Sequence, residues 1–241
     1  MGFTLEPIGV IHSCFKDKFG VPRQPGLVAA AEARLELFSP YNRAEAFKGL
    51  EGFSHLWVSF IFHQCLGQEA RLSVRPPRLG GNRKLGVFAS RSTHRPNPIG
   101  ISVVELIGME QSASGVVLLL GGVDLIDATP VLDIKPYVPY ADAVTDARAD
   151  YAQQAPQDDF AVHFTPPAEQ QCEQYTASWP GLRQLIKSVL SYDPRPAYMA
   201  GKSGDKTYAL RLYALEVCWR VVADNVIEVY AIEADATRSG N

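Results

Sequence analysis

Between Ala70 and Val104 the chain has no aspartate or glutamate. Arg71, Arg75, Arg78, Arg83, Lys84, Arg91 and Arg95 place seven cations there, in a protein whose net charge is −3. Clustered guanidinium groups offer planar, bidentate contacts to phosphate, so this run reads as a surface for RNA or a nucleotide. The competing reading is a solvated basic face whose cations pair with carboxylates elsewhere in the chain. Inside the run lies Ser92-Thr93-His94-Arg95-Pro96-Asn97-Pro98-Ile99-Gly100. Its two prolines fix φ twice and restrict the residues before them, so the loop is preorganised. Asn97 can present a donor and an acceptor to a base edge. A rigid corner without a ligand fits the same prolines.

Three further segments carry candidate chemistry. In Gly121–Pro139, Asp124 and Asp127 lie three apart, and Asp133 precedes Lys135. Carboxylates there can bind ribose hydroxyls, offset a ligand's positive charge or accept a proton, or they can simply cap turns. A divalent cation would need a more regular ligand pattern, so no metal is expected. Phe19–Leu27 is a second stiffened loop, with Pro22 and Pro25 bracketing Arg23-Gln24, and His63-Gln64 ends an apolar run. A histidine at a strand end is usually structural. His94 invites a general-base role, but no Ser-His-Asp or Cys-His order accompanies it.

The elements that must hold these residues read mostly as strands. Phe3–Ser13, Ala33–Phe38, Ser54–His63, Leu85–Ala89, Ile101–Ile107, Val116–Leu120 and Val131–Ile134 are β-rich, with Gly, Pro and Asn between them. Asn42–Leu50 reads as the one helix of this half, after Pro40 and before Gly52. Short strands without intervening helices predict an antiparallel β-barrel or sandwich spanning 1–140. Gly80-Gly81 and Gly121-Gly122 each precede more strand, so neither is the glycine turn of a Rossmann site. An Ala/Asp/Gln-rich stretch over 141–163 reads as a linker running over the surface. A smaller α+β unit over 164–241 follows. It has helices at Glu169–Ser178 and Gly181–Leu190, then a hairpin of Tyr208–Val222 and Val226–Glu233. Its cations Arg183, Lys187, Arg195, Lys202, Lys206 and Arg211 suit either RNA contact or support of the barrel.

Composition narrows the classes. A hydrophobic content of 46% over 241 residues is enough for a packed core. The four cysteines are scattered with no zinc spacing, which fits a reducing compartment. Without a leader-like N-terminus or a long apolar stretch, the chain reads as soluble and cytoplasmic.

Taken together, FGVPRQPGL, HLWVSFIFHQ, VRPPRLGGN, GVFASRSTHRPNPIGIS and DLIDATPVLDIKPY resemble the TrmO family (TsaA-like domain). The likeness runs on through Asp193-Pro194-Arg195-Pro196-Ala197-Tyr198 and the terminal hairpin. It implies a non-Rossmann methyltransferase that uses S-adenosylmethionine on an antiparallel barrel and works as a homodimer, with the cofactor near the subunit interface. The implied substrate is N6-threonylcarbamoyladenosine at position 37 of threonine tRNA, just 3′ of the anticodon, methylated at N6. The family's cofactor contacts map onto Pro25-Gly26-Leu27, His63-Gln64, Arg91, Ile101 and Asp124-Leu125-Ile126-Asp127. Position 94, commonly aromatic in the family, is His here, which weakens it as an essential base.

The expected proton acceptor is Asp127 or a neighbouring carboxylate. The expected RNA contacts are Arg71, Arg75, Arg78, Arg83, Lys84, Arg95, Asn97 and Arg195. Within the basic run, Arg71–Lys84 suits phosphate and Arg91–Ile101 suits the shaping of a pocket. The main rival is a non-enzymatic tRNA-binding protein, which would bind tRNA without binding S-adenosylmethionine. A cofactor sensor that ignores RNA sits poorly with the basic run, and a hydrolase would need a nucleophile or metal that the sequence does not offer.

Overall fold

The computed structural model describes residue 2, residues 4–79, 83–196 and 199, and residues 206–235. Gly80-Gly81-Asn82, Ala197-Tyr198 and Lys202, singled out above, lie outside these. The strands are β1 (Gly9–Ser13), β2 (Ala33–Leu37), β3 (His55–Ile61), β4 (Ser73–Val74), β5 (Leu85–Gly86), β6 (Ile99–Ser112), β7 (Gly115–Gly121) and β8 (Thr129–Pro136). After them come α1 (Pro139–Asp142), β9 (Ala161–Phe164), α2 (Pro166–Tyr175), α3 (Leu182–Ser191), β10 (Thr207–Leu212), β11 (Leu215–Ala223) and β12 (Val226–Ala234).

The expected antiparallel barrel is present. Six strands close in the order β1-β2-β7-β6-β3-β8, with β8 returning to β1. Alternation drives the closure, since in β2 Ala33, Leu35 and Leu37 are buried while Arg34 is exposed. Side chains of Ile11, Leu35, Leu56, Val58, Leu118, Leu120 and Val131 are essentially inaccessible and fill the interior, as a narrow barrel requires. Closure leaves none of these six strands with a free edge.

Several sequence expectations change. Asn42–Leu50 is not one helix; Ala44–Phe47 and Leu50–Gly52 form two 3-10 turns, broken where Gly49 takes φ +90°. Leu85–Ala89 is strand only over its first two residues and then turns through Val87–Ala89. The surface stretch over 141–163 ends in a strand that its composition hid. β9 pairs in parallel with β12 and completes a four-stranded sheet, β10-β11-β12-β9. The terminal hairpin is a three-stranded meander, because Tyr213 adopts φ +56° and splits Tyr208–Val222 into β10 and β11. Both helices of this unit form as expected. Thr165 caps α2 through the Ala168 amide, and Pro166 and Pro167 suit its first turn. α3 buries Leu182, Leu185, Ile186, Val189 and Leu190, one stripe at helical spacing. Among the described residues no helix is long and apolar enough to cross a membrane.

The two halves share one core. Phe15 bridges to Leu212, and the Tyr213 amide donates to the Cys14 carbonyl at 2.7 Å. Trp219, fully buried in β11, stacks on Tyr208 at 4.7 Å and on Phe19 at 6.5 Å, and Phe19 belongs to the loop after β1. Trp219→Ala would remove a large side chain that both halves touch. The expected cost is about 3–5 kcal/mol, read from urea unfolding followed by circular dichroism; a cost below about 1 kcal/mol would show that this ring does not hold the seam.

Candidate active site

Four chain segments meet at a cavity of about 420 Å³ at one end of the barrel. They are the loop after β1 (Lys18 to Gln24), the end of β3 with the turn His63–Cys65, the stretch from Ser90 into β6, and the loop before β8 (Asp124 to Thr129). The Asn97-Pro98 corner is tied to β3, since the Phe62 amide donates to the Pro98 carbonyl at 2.7 Å. Gly100 follows from packing: a Cβ there would sit 2.3 Å from the Phe60 ring and 2.8 Å from the Phe62 ring, and both phenylalanines line the cavity. Any larger residue would push aromatic rings into the ligand space.

The loop carrying the aspartates is held by a clasp at the end of β1. The buried Ser13 hydroxyl donates to the Leu125 carbonyl at 2.7 Å, and the Ser13 amide donates to Asp127 Oδ1 at 3.0 Å. Lys16 Nζ lies 2.7 Å from Asp127 Oδ2, and the Asp127 amide donates to the Phe15 carbonyl at 2.8 Å. Ala128 then turns the chain through the left-handed region at φ +62°, its amide on the Ile11 carbonyl. Asp127 therefore does not line the cavity. It faces the opposite side of this loop, beside Lys16 and Tyr213. Both of its oxygens are engaged, Oδ1 by the Ser13 amide and Oδ2 by Lys16, on the side of the loop away from the cavity.

Asp124 is the carboxylate that reaches the cavity. Burial pushes its carboxyl up to about 6, against the opposing pull of the Ser102 hydroxyl, which donates to Oδ1 at 2.7 Å, and of Arg91 nearby. Phe60, Phe62, Leu125 and Ile126 supply apolar wall, while Lys18, Arg23, Arg91 and Arg95 supply the cations. Arg91 donates to the Gln24 side chain and so spans the mouth between two loops. Burial, and then Lys18, lower the pKa of His63. The pKa of His94 is lowered by burial, then by Arg71 and Lys18.

Of the cofactor residues expected from sequence, His63, Gln64, Arg91, Ile101, Asp124, Leu125 and Ile126 line this one cavity. Pro25, Gly26 and Leu27 do not line it, although the Gly26 amide donates to the Gly122 carbonyl at 2.8 Å and lays that loop beside the aspartate segment. Both glycines have positive φ, and a Cβ on Gly122 would meet the Gly26 backbone at 3.2 Å.

Of the expected RNA contacts, Arg71, Arg75, Arg78, Arg83, Lys84 and Asn97 are exposed. None of the seven cations of the basic run is ion-paired to a carboxylate among the described residues, which removes the internal-pairing alternative. Arg95 is half-buried and braces its own loop through the Ser90 carbonyl at 2.8 Å. Arg195 is a correction: it is 3% exposed, and its guanidinium holds both oxygens of Asp193 at 2.7 and 2.9 Å. Two other C-terminal cations are ion-paired, Arg183 with Glu169 at the surface and Arg211 with the buried Asp235. Sequence reasoning missed Ser13, Ser102 and Lys18, because single polar residues in or near strands carry no spacing signal.

Comparison with known proteins agrees with this geometry. The tRNA-methyltransferase O N-terminal domain matches residues 10–143, and the TrmO C-terminal domain matches residues 157–235. The tRNA (adenine(37)-N6)-methyltransferase of Escherichia coli (strain K12) is 53% identical over 231 residues, 96% of this chain and 98% of its own. A Pseudomonas aeruginosa protein whose name includes the words S-adenosylmethionine-dependent methyltransferase is 51% identical over 95% of this chain and 97% of its own. The crystal structure of TrmO from Pseudomonas aeruginosa superposes with a TM-score of 0.82 at 42% identity, covering 97% of this chain and 99% of that one. With both domains matched in order and relatives aligned over nearly their whole length, the chain belongs to the tRNA-methyltransferase O family.

Proposed function

We propose that this protein is an S-adenosylmethionine-dependent tRNA (adenine-N6)-methyltransferase. In this reading it methylates N6 of threonylcarbamoyladenosine at position 37 of threonine tRNA, in the cytoplasm. The observation that carries it is a half-buried carboxylate, Asp124, in an apolar cavity whose mouth is ringed by unpaired cations. That donor set fits the cofactor: apolar and aromatic wall for an adenine ring, a carboxylate for ribose hydroxyls or positive charge, and Arg91 for a carboxylate. Bound S-adenosylmethionine supplies an electrophilic methyl group on a cationic sulfur.

The chain's own residues then have defined work. The target nitrogen is conjugated into a urea and is a weak nucleophile, so alignment and a proton acceptor dominate the barrier. Asp124 is placed to accept the N6 proton when that nitrogen takes up the methyl group that bound S-adenosylmethionine would supply. Asp127, Ser13 and Lys16 position the loop that carries it. Arg91 anchors either the cofactor's carboxylate or the threonyl carboxylate of the substrate. Phe60 and Phe62 exclude water beside Gly100. Arg71, Arg75, Arg78, Arg83 and Lys84 hold backbone phosphate. The smaller C-terminal unit supports the barrel; of its exposed cations, Arg183 and Arg220 are ion-paired while Lys187 and Lys206 are not.

Homodimer formation belongs to the same reading. Ile99, Ile101, Ile107 and Met109 of β6 are exposed, and the first two also line the cavity. A second copy seated on this stripe would cover apolar surface and shut one side of the cavity.

Four measurements test these assignments. Incubation with labelled S-adenosylmethionine should label threonylcarbamoylated tRNA and leave the unmodified transcript unlabelled; methylation of neither would sink the enzyme reading. The rate should climb with pH through about 6, as Asp124 loses its proton. Asp124→Asn should abolish that limb and slow turnover by roughly 10²–10⁴-fold. A carboxyl raised above its unfolded value keeps its proton in the fold while the unfolded chain loses it, so stability falls as pH rises from about 4 to about 6. Asp124→Asn should therefore melt higher than the parent at pH 7 and show little gain at pH 4. Asp127→Asn should lower thermal stability yet keep the pH limb; loss of the limb in that variant would return the proton-transfer role to Asp127. Ile107→Glu should give monomers in sedimentation velocity with weakened cofactor binding, and an unchanged species would place any dimer contact elsewhere.

A further inference from the structure

Phe88 is 79% exposed, and a lone exposed aromatic needs no explanation by itself. Its mounting is what sets it apart. Val87 before it is 2% exposed, with its amide on the Leu72 carbonyl at 3.0 Å. The Ser90 amide and hydroxyl both return to the Val87 carbonyl, at 3.2 and 2.9 Å. The ring thus stands on a fastened 3-10 turn and has little backbone freedom to lose on meeting a ligand. Ser90 and Arg91, two and three residues on, line the cavity.

The backbone brings cationic residues to the same hairpin. Pairing of Val74 with Leu85 sets Arg75 across from Lys84, and the Leu72–Val87 bond brings the chain at Arg71 alongside Phe88. Arg71, Arg75, Lys84 and Arg91 are exposed and have no carboxylate partner among the described residues. A second copy of this face would bring like charges together, which argues against self-association here. An exposed apolar ring on a hairpin whose cations have no carboxylate ion pair is an arrangement that accepts a base on the ring and its phosphates on the cations.

We propose that Phe88 is a stacking platform for an unpaired base of the substrate RNA, next to the nucleotide whose base enters the cavity. This rests on the tRNA reading above and adds a specificity element to it: the enzyme requires a strand that is unpaired beside its target. A loop can supply such a base and a duplex cannot.

The test is a titration of an anticodon stem-loop RNA carrying threonylcarbamoyladenosine, run at several salt concentrations against the parent, Phe88→Ala, Phe88→Trp and Arg75→Ala. Phe88→Ala should weaken binding by roughly 10- to 100-fold without changing the slope of log affinity against log salt. Phe88→Trp should bind as the parent does. Arg75→Ala should reduce the slope by about one phosphate contact. A blunt RNA duplex should bind the parent and Phe88→Ala alike, and S-adenosylmethionine should bind every variant equally. Unchanged stem-loop affinity in Phe88→Ala, an equal loss on duplex RNA, or a changed sedimentation coefficient would overturn the platform. A parent enzyme that methylates no tRNA defeats the underlying reading, whereas a parent that methylates and a Phe88→Ala variant that binds normally defeats the platform alone.

Discussion

The clasp that Ser13 makes on the loop before β8 is the constraint on which the site depends. One buried hydroxyl and one amide at the end of β1 hold Leu125 and Asp127 of the loop that enters the neighbouring strand β8. The segment from Gly122 to Ala128 lies between β7 and β8 and has no ladder to follow. The clasp fixes its middle, while Gly26, Phe15 and Ile11 hold its two ends, and Asp124 is thereby kept within reach of Ser102. A buried hydrogen bond contributes only about 1 kcal/mol net, but a buried donor left unmade costs more. The clasp therefore specifies geometry more than it adds stability.

Charge is sorted by depth. A single carboxylate sits inside, held partly protonated near pH 6 by its burial, while the cations stand at the mouth and on the hairpin beyond it. The arrangement draws in a polyanion yet keeps guanidinium groups from neutralising the interior acid, apart from the pull of Arg91. The acid-free run performs both parts. Its first half faces solvent, and its second half braces itself, with Arg95 tied to Ser90 and Phe62 tied to Pro98.

The barrel was legible because alternation in strands such as Ala33–Leu37 is a local signal that closure requires. The aspartate segment was legible as a motif but not in its division of labour. Asp124 and Asp127 look alike in sequence, and only the left-handed turn at Ala128 and the reach of Lys16 assign them to opposite sides of the loop. Arg195 misled because a buried arginine with its own aspartate two residues away reads like any basic loop residue. β9 was hidden because its partner β12 lies more than sixty residues on, and a four-residue parallel strand has no periodicity to detect.

The seam at Trp219 bears on binding in a way that neither half suggests alone. Because the ring is shared with Phe19, and Phe15 pairs with Leu212, the barrel and the smaller sheet are not beads on a tether. The stretch joining them is itself tacked down, with Arg78 donating to the Gln154 carbonyl. A ligand long enough to touch both halves meets one rigid template and need not freeze out a hinge between them. Orientational entropy that a two-domain clamp would surrender at each encounter is here already surrendered when the chain folds.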